Sequence, residues 1–94
     1  MNFEWDNNKN EINQSKHNIS FEEASNCWED KNSFDIFDEK HSSIEESRWL
    51  KFGRLEDGKV LCVVYTIFSN SYRIISAFTD KKIERFYYEQ NFGR

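Results

Sequence analysis

Histidine offers the first candidate chemistry in this sequence, because imidazole gains and loses a proton near neutral pH and can act as a general acid or base. The chain has two histidines, His17 and His41. His17 falls at the end of a predicted helix, where the helix dipole alone favours an imidazolium. His41 falls in a polar, acidic segment without a recognisable partner. The residues alone therefore favour a structural role for His17 and plain exposure for His41.

Basic side chains are the second group that could do chemistry. Lys81, Lys82 and Arg85 open the last predicted helix on its polar side, where a phosphate-binding face and an ordinary solvated face are equally good interpretations. Arg73 lies beside apolar residues on a predicted strand. A buried or half-buried arginine needs an anion, which is either a carboxylate of the same chain or a phosphate of a ligand.

Other common catalytic and metal-binding patterns are missing from the sequence, which has no P-loop, no Gly-x-Ser-x-Gly and no His-Glu-x-x-His. Cys27 and Cys62 lie far apart without a Cys-x-x-Cys, which predicts two buried thiols in a reducing cytosol and neither a zinc site nor a disulfide. The segment Met1–Asp6 is not a basic and apolar leader, and no run approaches the roughly 20 apolar residues that span a bilayer. We expect a cytoplasmic protein without a membrane partner.

The net charge of −4 is unevenly distributed along the chain. Residues 1–40 carry four Lys against ten Asp and Glu, whereas residues 41–94 carry nine Lys and Arg against seven Asp and Glu. A nucleic acid is therefore expected to meet the carboxyl-terminal half first, without help from the overall field.

The elements that must position these residues are centred on Lys59–Phe68, a nearly continuous apolar run with large residues on both faces. A strand that is apolar on both faces lies in the middle of a sheet. Its neighbours Arg48–Leu55 and Tyr72–Phe78 are also strand-like. Short turns at Asp57-Gly58 and Ser69-Asn70-Ser71 join them to it. This pattern predicts an antiparallel sheet with Lys59–Phe68 at its centre.

The remaining elements are predicted from caps and periodicity. Short strands are predicted at Phe3–Trp5 and Phe34–Phe37. A first helix over about Asn8–His17 is capped by Asp6 or Asn7 and ends at Asn18, and a second over about Phe21–Trp28 begins with a Ser20/Glu23 capping box. The last helix opens at Thr79 or Asp80 and places Ile83, Phe86, Tyr87 and Gln90 on one face. We expect residues 1–94 to form a single α+β domain, in which a small antiparallel sheet of about four strands packs with amino-terminal helices and a carboxyl-terminal helix.

Two distant blocks of residues follow the pattern of one known family. The first block comprises Phe3-Glu4-Trp5-Asp6, Lys9-Asn10, Asn13, Lys16-His17 and Ser20-Phe21-Glu22-Glu23-Ala24. The second comprises Glu45-Glu46, Arg48-Trp49, Gly53, Val63-Val64-Tyr65-Thr66, Arg73-Ile74-Ile75-Ser76-Ala77, Glu84-Arg85 and Tyr88. In order and spacing, over nearly the whole chain, these blocks resemble the BrnT family of bacterial toxins. The resemblance implies a RelE-like ribonuclease fold and the toxin half of a type II toxin–antitoxin pair.

The resemblance also implies partners. A small BrnA-like antitoxin with a ribbon-helix-helix DNA-binding part would neutralise the toxin. The complex would repress its own operon, so that operator DNA is reached only through the antitoxin. A heterotetramer of toxin and antitoxin is one assembly compatible with this scheme.

The chemistry that the resemblance implies uses neither a metal nor another cofactor. The RNA 2′-hydroxyl attacks the adjacent phosphate, while protein groups accept its proton, stabilise the phosphorane and protonate the leaving oxygen. By resemblance, Arg73 is the phosphate clamp, and His17 and Lys16 complete the catalytic set. The expected RNA-binding residues are Arg48, Lys82 and Arg85.

Phe78 departs from the family pattern, which usually has a basic residue directly after Ile75-Ser76-Ala77. Strand alternation also places residues 73 and 78 on opposite faces unless a bulge intervenes. Two alternatives to an active nuclease therefore stay open. One is a weak or inactive homologue that acts as an antitoxin-binding module, and the other is a small α+β domain of unrelated role.

Overall fold

The structure is a computed structural model that describes residues 2–93, and a mixed sheet lies at its centre. Its strands are β1 (Asn2–Glu4), β2 (Phe34–Phe37), β3 (Arg48–Arg54), β4 (Val60–Phe68) and β5 (Ser71–Phe78), in the order β1-β5-β4-β3-β2. The predicted central strand is confirmed, because β4 pairs antiparallel with β3 on one side and with β5 on the other.

The expected sheet of about four antiparallel strands is wrong in its number of strands and in one strand direction. Five strands are present within residues 2–93, and β1 pairs parallel with β5 at the edge of the sheet. The strands β3, β4 and β5 are joined by short turns whose geometry sets their antiparallel direction. No such turn links β1 to β5 in the described residues, so local turn chemistry could not predict how this pair runs.

The helices of the described residues are α1 (Asn7–His17), α2 (Phe21–Ser25) and α3 (Lys81–Phe92), with 3₁₀ turns at Asn26–Glu29 and Glu39–His41. The predicted second helix is therefore divided between α2 and the 3₁₀ turn that follows it. Asp6, Ser20 and Asp80 accept hydrogen bonds from backbone N–H groups in the first turn of their helices, as predicted. The Ser20/Glu23 capping box is only half formed in the described residues, because the Glu23 carboxylate accepts from Lys59 Nζ at 3.1 Å instead. Asn18 ends α1 in the left-handed conformation at φ 57°. None of the helices in this part of the chain is long and apolar enough to cross a membrane.

Left-handed backbone at both hairpin turns joins the three central strands. Gly58 has φ 95°, and Ser69 and Asn70 have φ 51° and 64°. Two consecutive residues with positive φ form the turn whose twist matches that of the flanking strands. The hairpin predictions at Asp57-Gly58 and Ser69-Asn70-Ser71 are both confirmed.

Each face of the sheet carries its own buried cluster. The cluster under α2 and the following 3₁₀ turn comprises Ile19, Phe21, Ala24, Cys27, Leu55, Leu61, Val63, Ile74 and Ala77. The cluster under α3 comprises Phe52, Val60, Cys62, Ile83 and Tyr87. Gly53 lets the 3₁₀ turn approach β3, because a Cβ there would stand 2.7 Å from the Cβ of Cys27. Both cysteines are free and buried, as predicted, and burial raises the pKa of each thiol to about 12.

Candidate nucleic-acid interface

Buried polar side chains hold α1 against the sheet. The Asn13 amide donates to the backbone carbonyls of Ile19 at 2.9 Å and Ala77 at 2.8 Å, and its oxygen accepts from the N–H of Ala77 at 3.1 Å. The Asn10 oxygen accepts from the N–H of Phe21 at 2.9 Å. Asn13 thus takes the place of a neighbouring strand beside Ala77, beyond the end of β1. These bonds fix which side of α1 faces β5.

The side of α1 next to these asparagines forms one wall of a groove whose other wall is β5, here called the α1–β5 groove. It consists of two depressions. One, of about 460 Å³, is lined by Lys9, Ile12, Asn13, Lys16, His17, Ile75, Ser76 and Phe78. The other, of about 320 Å³, is lined by Glu4, Trp5, Asp6, Lys9, Arg73, Ile74 and Ile75. Lys9 and Ile75 line both, so the two depressions are neighbours along the same groove.

A β-bulge in β5 determines which of its side chains share a face. Arg73 pairs with Thr66 of β4 and Phe78 pairs with Cys62, whereas Ile75 is an extra residue between these pairs. Thr66 and Cys62 are four residues apart and therefore lie on one face, so Arg73 and Phe78 lie on it too. The bulge removes the opposite-face arrangement that simple alternation predicts.

Arg73 lies at one end of the groove. Its Nε–H donates to Glu4 Oε2 at 2.8 Å, and its guanidinium carbon lies 4.8 Å from the centre of the Phe68 ring. The anion that the sequence required is therefore a carboxylate of the same chain, and β1 supplies it because Glu4 pairs in register with Arg73. The side chain of Arg73 is 48% exposed, which leaves it accessible to a ligand phosphate.

Lys16 and His17 lie at the other end of the groove, exposed in the last turn of α1. The centre of the His17 ring is 5.9 Å from that of the Phe78 ring. The residue that departs from the family pattern therefore stands beside the imidazole. It also approaches from the same sheet face as Arg73.

The predicted RNA-binding residues lie outside the lining of the groove. Arg48 lies on β3 opposite Thr66, and Arg73 of β5 lies opposite the same threonine on its other side. The Nε–H of Arg48 donates to Glu46 Oε1 at 3.0 Å. Lys82 and Arg85 are exposed on α3 and line neither depression. The groove thus gathers the predicted catalytic residues and not the predicted RNA-binding ones.

His41 is exposed, as predicted, but it has a partner that the sequence did not reveal. Its Nδ1 lies 3.0 Å from Asp38 Oδ2, three residues earlier in the chain. Asp38 also accepts from the backbone N–H of His41, which closes a local turn. His41 lines neither depression of the groove.

Lys9 is a groove residue that belongs to the first family block but was not among the predicted site residues. It follows Asp6, the helix cap, which accepts from its backbone N–H at 3.1 Å. The signal was present in the spacing of Lys9, Ile12 and Lys16, which lie three and four residues apart and share one side of a helix. Ile12 was expected to be the main hydrophobe of α1, yet it is 55% exposed, because Asn10 and Asn13 occupy the buried side instead.

A larger concave surface, here called the acidic depression, has a volume of about 680 Å³ and lies between α3, the 3₁₀ turn after α2 and the β3–β4 turn. It is lined by Glu23, Asn26, Glu29, Asp30, Asn32, Arg54, Leu55, Glu56, Asp57, Tyr87 and Phe92. Arg54 is its only cation among the described residues. No three His, Cys, Asp or Glu side chains in residues 2–93 are placed to hold a metal ion together.

Asp30 ties the acidic depression to the core. Its carboxylate accepts from the Tyr87 hydroxyl at 2.6 Å and from the backbone N–H groups of Arg54 at 2.8 Å and Asn32 at 3.0 Å. Burial disfavours the charged form, but the hydrogen bonds outweigh it, and the pKa of Asp30 is lowered. Burial, together with the bond to Asp30, raises the pKa of the Tyr87 hydroxyl.

The fold and the groove define a small α+β domain with cations gathered beside the edge of its sheet, a charge arrangement compatible with nucleic-acid binding. Residues 5–84 match a family model described as the ribonuclease toxin BrnT of type II toxin–antitoxin systems. The chain belongs to this family. No curated protein sequence matches it. The family is one of ribonuclease toxins, and a type II system implies an antitoxin as partner.

Proposed function

We propose that this toxin is an active ribonuclease that cleaves RNA without a metal, in the RelE-like manner. The observation that carries the proposal is the α1–β5 groove, whose neighbouring depressions are lined by Arg73 at one end and by Lys16 and His17 at the other. The family match over residues 5–84 supports the same class of reaction and includes all three residues.

In the proposed reaction, the RNA 2′-oxygen forms a bond to the adjacent phosphorus, and the bond from phosphorus to the 5′-oxygen breaks. The products are a 2′,3′-cyclic phosphate and a 5′-hydroxyl. His17 takes the proton of the 2′-hydroxyl or supplies the proton of the 5′-oxygen, and solvent carries the other. Lys16, beside His17, places positive charge on the phosphorane oxygens, where negative charge builds up in the transition state, and Arg73 clamps the RNA phosphate at the other end of the groove. The residues proposed to bind phosphates further along the RNA are Arg48, Lys82 and Arg85.

Glu4 competes with RNA for Arg73 in this mechanism. A phosphate that binds the Arg73 guanidinium must either share it with the Glu4 carboxylate or displace that carboxylate. The pair is largely exposed, with 48% of the Arg73 side chain and 36% of the Glu4 side chain accessible. Exposed ion pairs are worth about 0–1 kcal/mol. A charge-assisted bond to phosphate is stronger, so RNA can compete for Arg73.

A second candidate function is an inactive homologue that acts as an antitoxin-binding module. Two observations favour it. Arg73 is already paired with Glu4 at 2.8 Å, and apolar Phe78 stands beside His17, where the family pattern has a cation. Each feature lowers the positive charge available to a scissile phosphate.

The proposed partner is a small BrnA-like antitoxin with a ribbon-helix-helix DNA-binding part. It neutralises the toxin in the cytoplasm, forms a heterotetramer with it and represses the operon, so that operator DNA contacts the antitoxin alone. Residues 1–94 act in this complex as one domain. The family match supports the pairing of a toxin with an antitoxin.

The deciding experiment is induction of the toxin without its antitoxin, followed by growth and RNA integrity. We expect growth arrest and cleaved RNA for the wild type, and a loss of about 10²–10³-fold in cleavage for Arg73→Ala, by analogy with the loss of an oxyanion donor. The matched control is Arg54→Ala, which removes an arginine from the acidic depression and should cleave normally. A chelator should leave cleavage by purified toxin unchanged.

Two results would contradict the proposal. An Arg73→Ala protein as toxic as the wild type would remove the clamp assignment. A wild type that binds its antitoxin but neither arrests growth nor cleaves RNA would establish the binding-module alternative.

A further inference from the structure

Positive charge is concentrated in one of the two depressions of the α1–β5 groove. The larger, beside the carboxyl-terminal half of α1, has Lys9, Lys16 and His17 in its lining and no carboxylate among its described residues. The smaller has two cations but also two carboxylates, Glu4 and Asp6. A mobile anion is therefore attracted more strongly to the larger depression.

The basic side chains of this larger depression form no ion pair in the part of the chain that the structure describes. Within residues 2–93, no carboxylate lies within ion-pairing distance of Lys9, Lys16 or His17. On the sheet, by contrast, Arg48, Lys51 and Arg73 each pair with a carboxylate, as shown by Lys51 with Asp35 at 3.2 Å. Three unpaired basic side chains around one depression form a surface that favours an anionic ligand with several charges.

An apolar residue separates the two lysines. Ile12 is 55% exposed between Lys9 and Lys16 and lines the same depression as Phe78. Lys9 and Lys16 are seven residues apart, which is about 10.5 Å along a helix that rises 1.5 Å per residue. Cations that alternate with exposed apolar surface suit a ligand whose anionic groups alternate with flat, apolar ones, as phosphates and bases do in an unpaired strand.

We infer that the α1–β5 groove binds single-stranded RNA along α1, with Lys9 and Lys16 on separate phosphates and Ile12 and Phe78 against the sugars and bases between them. This inference rests on the proposed function and names its substrate class. Lys9 lines both depressions and so connects the His17 end of the groove to the Arg73 end. Duplex RNA is excluded from this mode, because its stacked bases cannot reach the apolar residues.

The test uses purified toxin and a fluorescent, single-stranded 2′-O-methyl oligoribonucleotide, which lacks the attacking hydroxyl and cannot be cut. Binding is followed by anisotropy over a range of salt concentrations. Lys9→Ala and Lys16→Ala should each reduce the slope of log affinity against log salt by about 0.7, the value for one phosphate contact with a single strand. Lys40→Ala, which removes an exposed lysine outside the groove, is the matched control and should keep the wild-type slope.

The Ile12→Ser variant tests the apolar contact with RNA independently of the lysine–phosphate contacts. It should weaken binding of the single strand while leaving the salt slope unchanged, because it removes no cation. Circular dichroism of each variant checks that α1 is retained. A duplex of the same sequence should bind more weakly than the single strand to the wild type and equally to wild type and Ile12→Ser.

The outcomes distinguish this inference from the proposed function. If wild type cleaves natural RNA but Lys9→Ala and Lys16→Ala keep the wild-type slope, the groove assignment is wrong and the ribonuclease proposal stands. If the slopes fall as expected but wild type cleaves nothing, the groove stands and the ribonuclease proposal is wrong. Absence of binding to the single strand, or tighter binding of the duplex, overturns the inference.

Discussion

The acidic depression and the α1–β5 groove are both concave, yet they carry opposite charges. The acidic depression has five carboxylates against Arg54, whereas the larger part of the groove has three basic side chains and no carboxylate among its described residues. Those three, Lys9, Lys16 and His17, all come from residues 1–40, the more acidic part of the chain. The fold therefore creates one acidic and one basic concave surface. Neither the net charge of −4 nor the distribution of charge along the sequence predicts where these surfaces lie.

The two surfaces also differ in how their polar groups are used. In the acidic depression, Asp30 is committed to internal hydrogen bonds with Tyr87 and the backbone. In the larger depression of the groove, the internal bonds are made by Asn13, a neutral residue, and none of the ion pairs of residues 2–93 involves Lys9, Lys16 or His17. Different residues therefore hold α1 in place and carry the charge there.

Loss of the attachment between α1 and β5 should abolish the groove and leave the acidic depression in place. Asn13→Ala removes three buried hydrogen bonds and leaves backbone groups of Ile19 and Ala77 without partners. We expect the free energy of unfolding to fall by about 3–4 kcal/mol, since each buried unsatisfied group costs about 1–3 kcal/mol. Urea denaturation measures this. Ser15→Ala, on the exposed side of α1, should stay within about 0.5 kcal/mol of wild type, and a similar small effect for Asn13→Ala would refute the attachment.

A more basic groove should differ from the acidic depression even more strongly in its affinity for RNA. Phe78→Arg places a second cation on the Arg73 face beside His17, and one charge-assisted contact is worth roughly 1.5–3 kcal/mol. RNA cleavage should therefore rise by about 10–100-fold. Phe92→Arg is the control, because it adds the same charge at an exposed phenylalanine of the acidic depression and should leave cleavage unchanged. Equal effects of both variants would mean that overall charge, not the groove, limits activity.

The acidic depression can be tested through its dependence on pH. The pKa of Asp30 is lowered on folding, so its contribution to stability is fully present above the usual carboxyl pKa and is lost as the pH falls through the lowered value. Tyr87→Phe removes one of the hydrogen bonds responsible and should cost about 1 kcal/mol at neutral pH. It should also flatten the loss of stability below about pH 4. Urea denaturation over this pH range should show no such flattening for Tyr88→Phe.

The smallest expected effect concerns Glu4, the carboxylate at the Arg73 end of the groove. Glu4→Gln keeps a hydrogen-bonding side chain but removes the competing negative charge. Affinity for single-stranded RNA should rise by less than about fivefold, since an exposed ion pair is worth at most about 1 kcal/mol. Anisotropy at low salt measures the change, with Glu11→Gln on the exposed side of α1 as the control. A loss of affinity would show that Glu4 orients Arg73 for RNA.

Local sequence chemistry was sufficient for much of the fold. The central strand, both hairpins and the caps at Asp6, Ser20 and Asp80 depend on residues within a few positions of one another. The buried side of α1 was beyond such reasoning. Asn13 binds Ala77, 64 residues away, and hydropathy places asparagine on the surface because its partners are invisible in the sequence.

The candidate site was predictable to the extent that family motifs name residue types. They name Arg73, Lys16 and His17, which do lie along one groove. They do not reveal the pairing of Arg73 with Glu4, which lies 69 residues away and depends on the parallel strand β1. Lys9 belongs to the first family block and shares a helix side with Lys16, but only the folded groove shows that it lines both depressions.

One extra residue in β5, Ile75, determines on which face of the sheet Arg73 lies. Without it, regular alternation would turn Arg73 toward the opposite face, where Trp28 and Tyr72 pack with ring centres 5.1 Å apart. On the proposed function, loss of the single codon for Ile75 would inactivate the toxin while Arg73, Lys16 and His17 all remain in the sequence. A genome survey that checks only these three residues would then count an inactive copy as active.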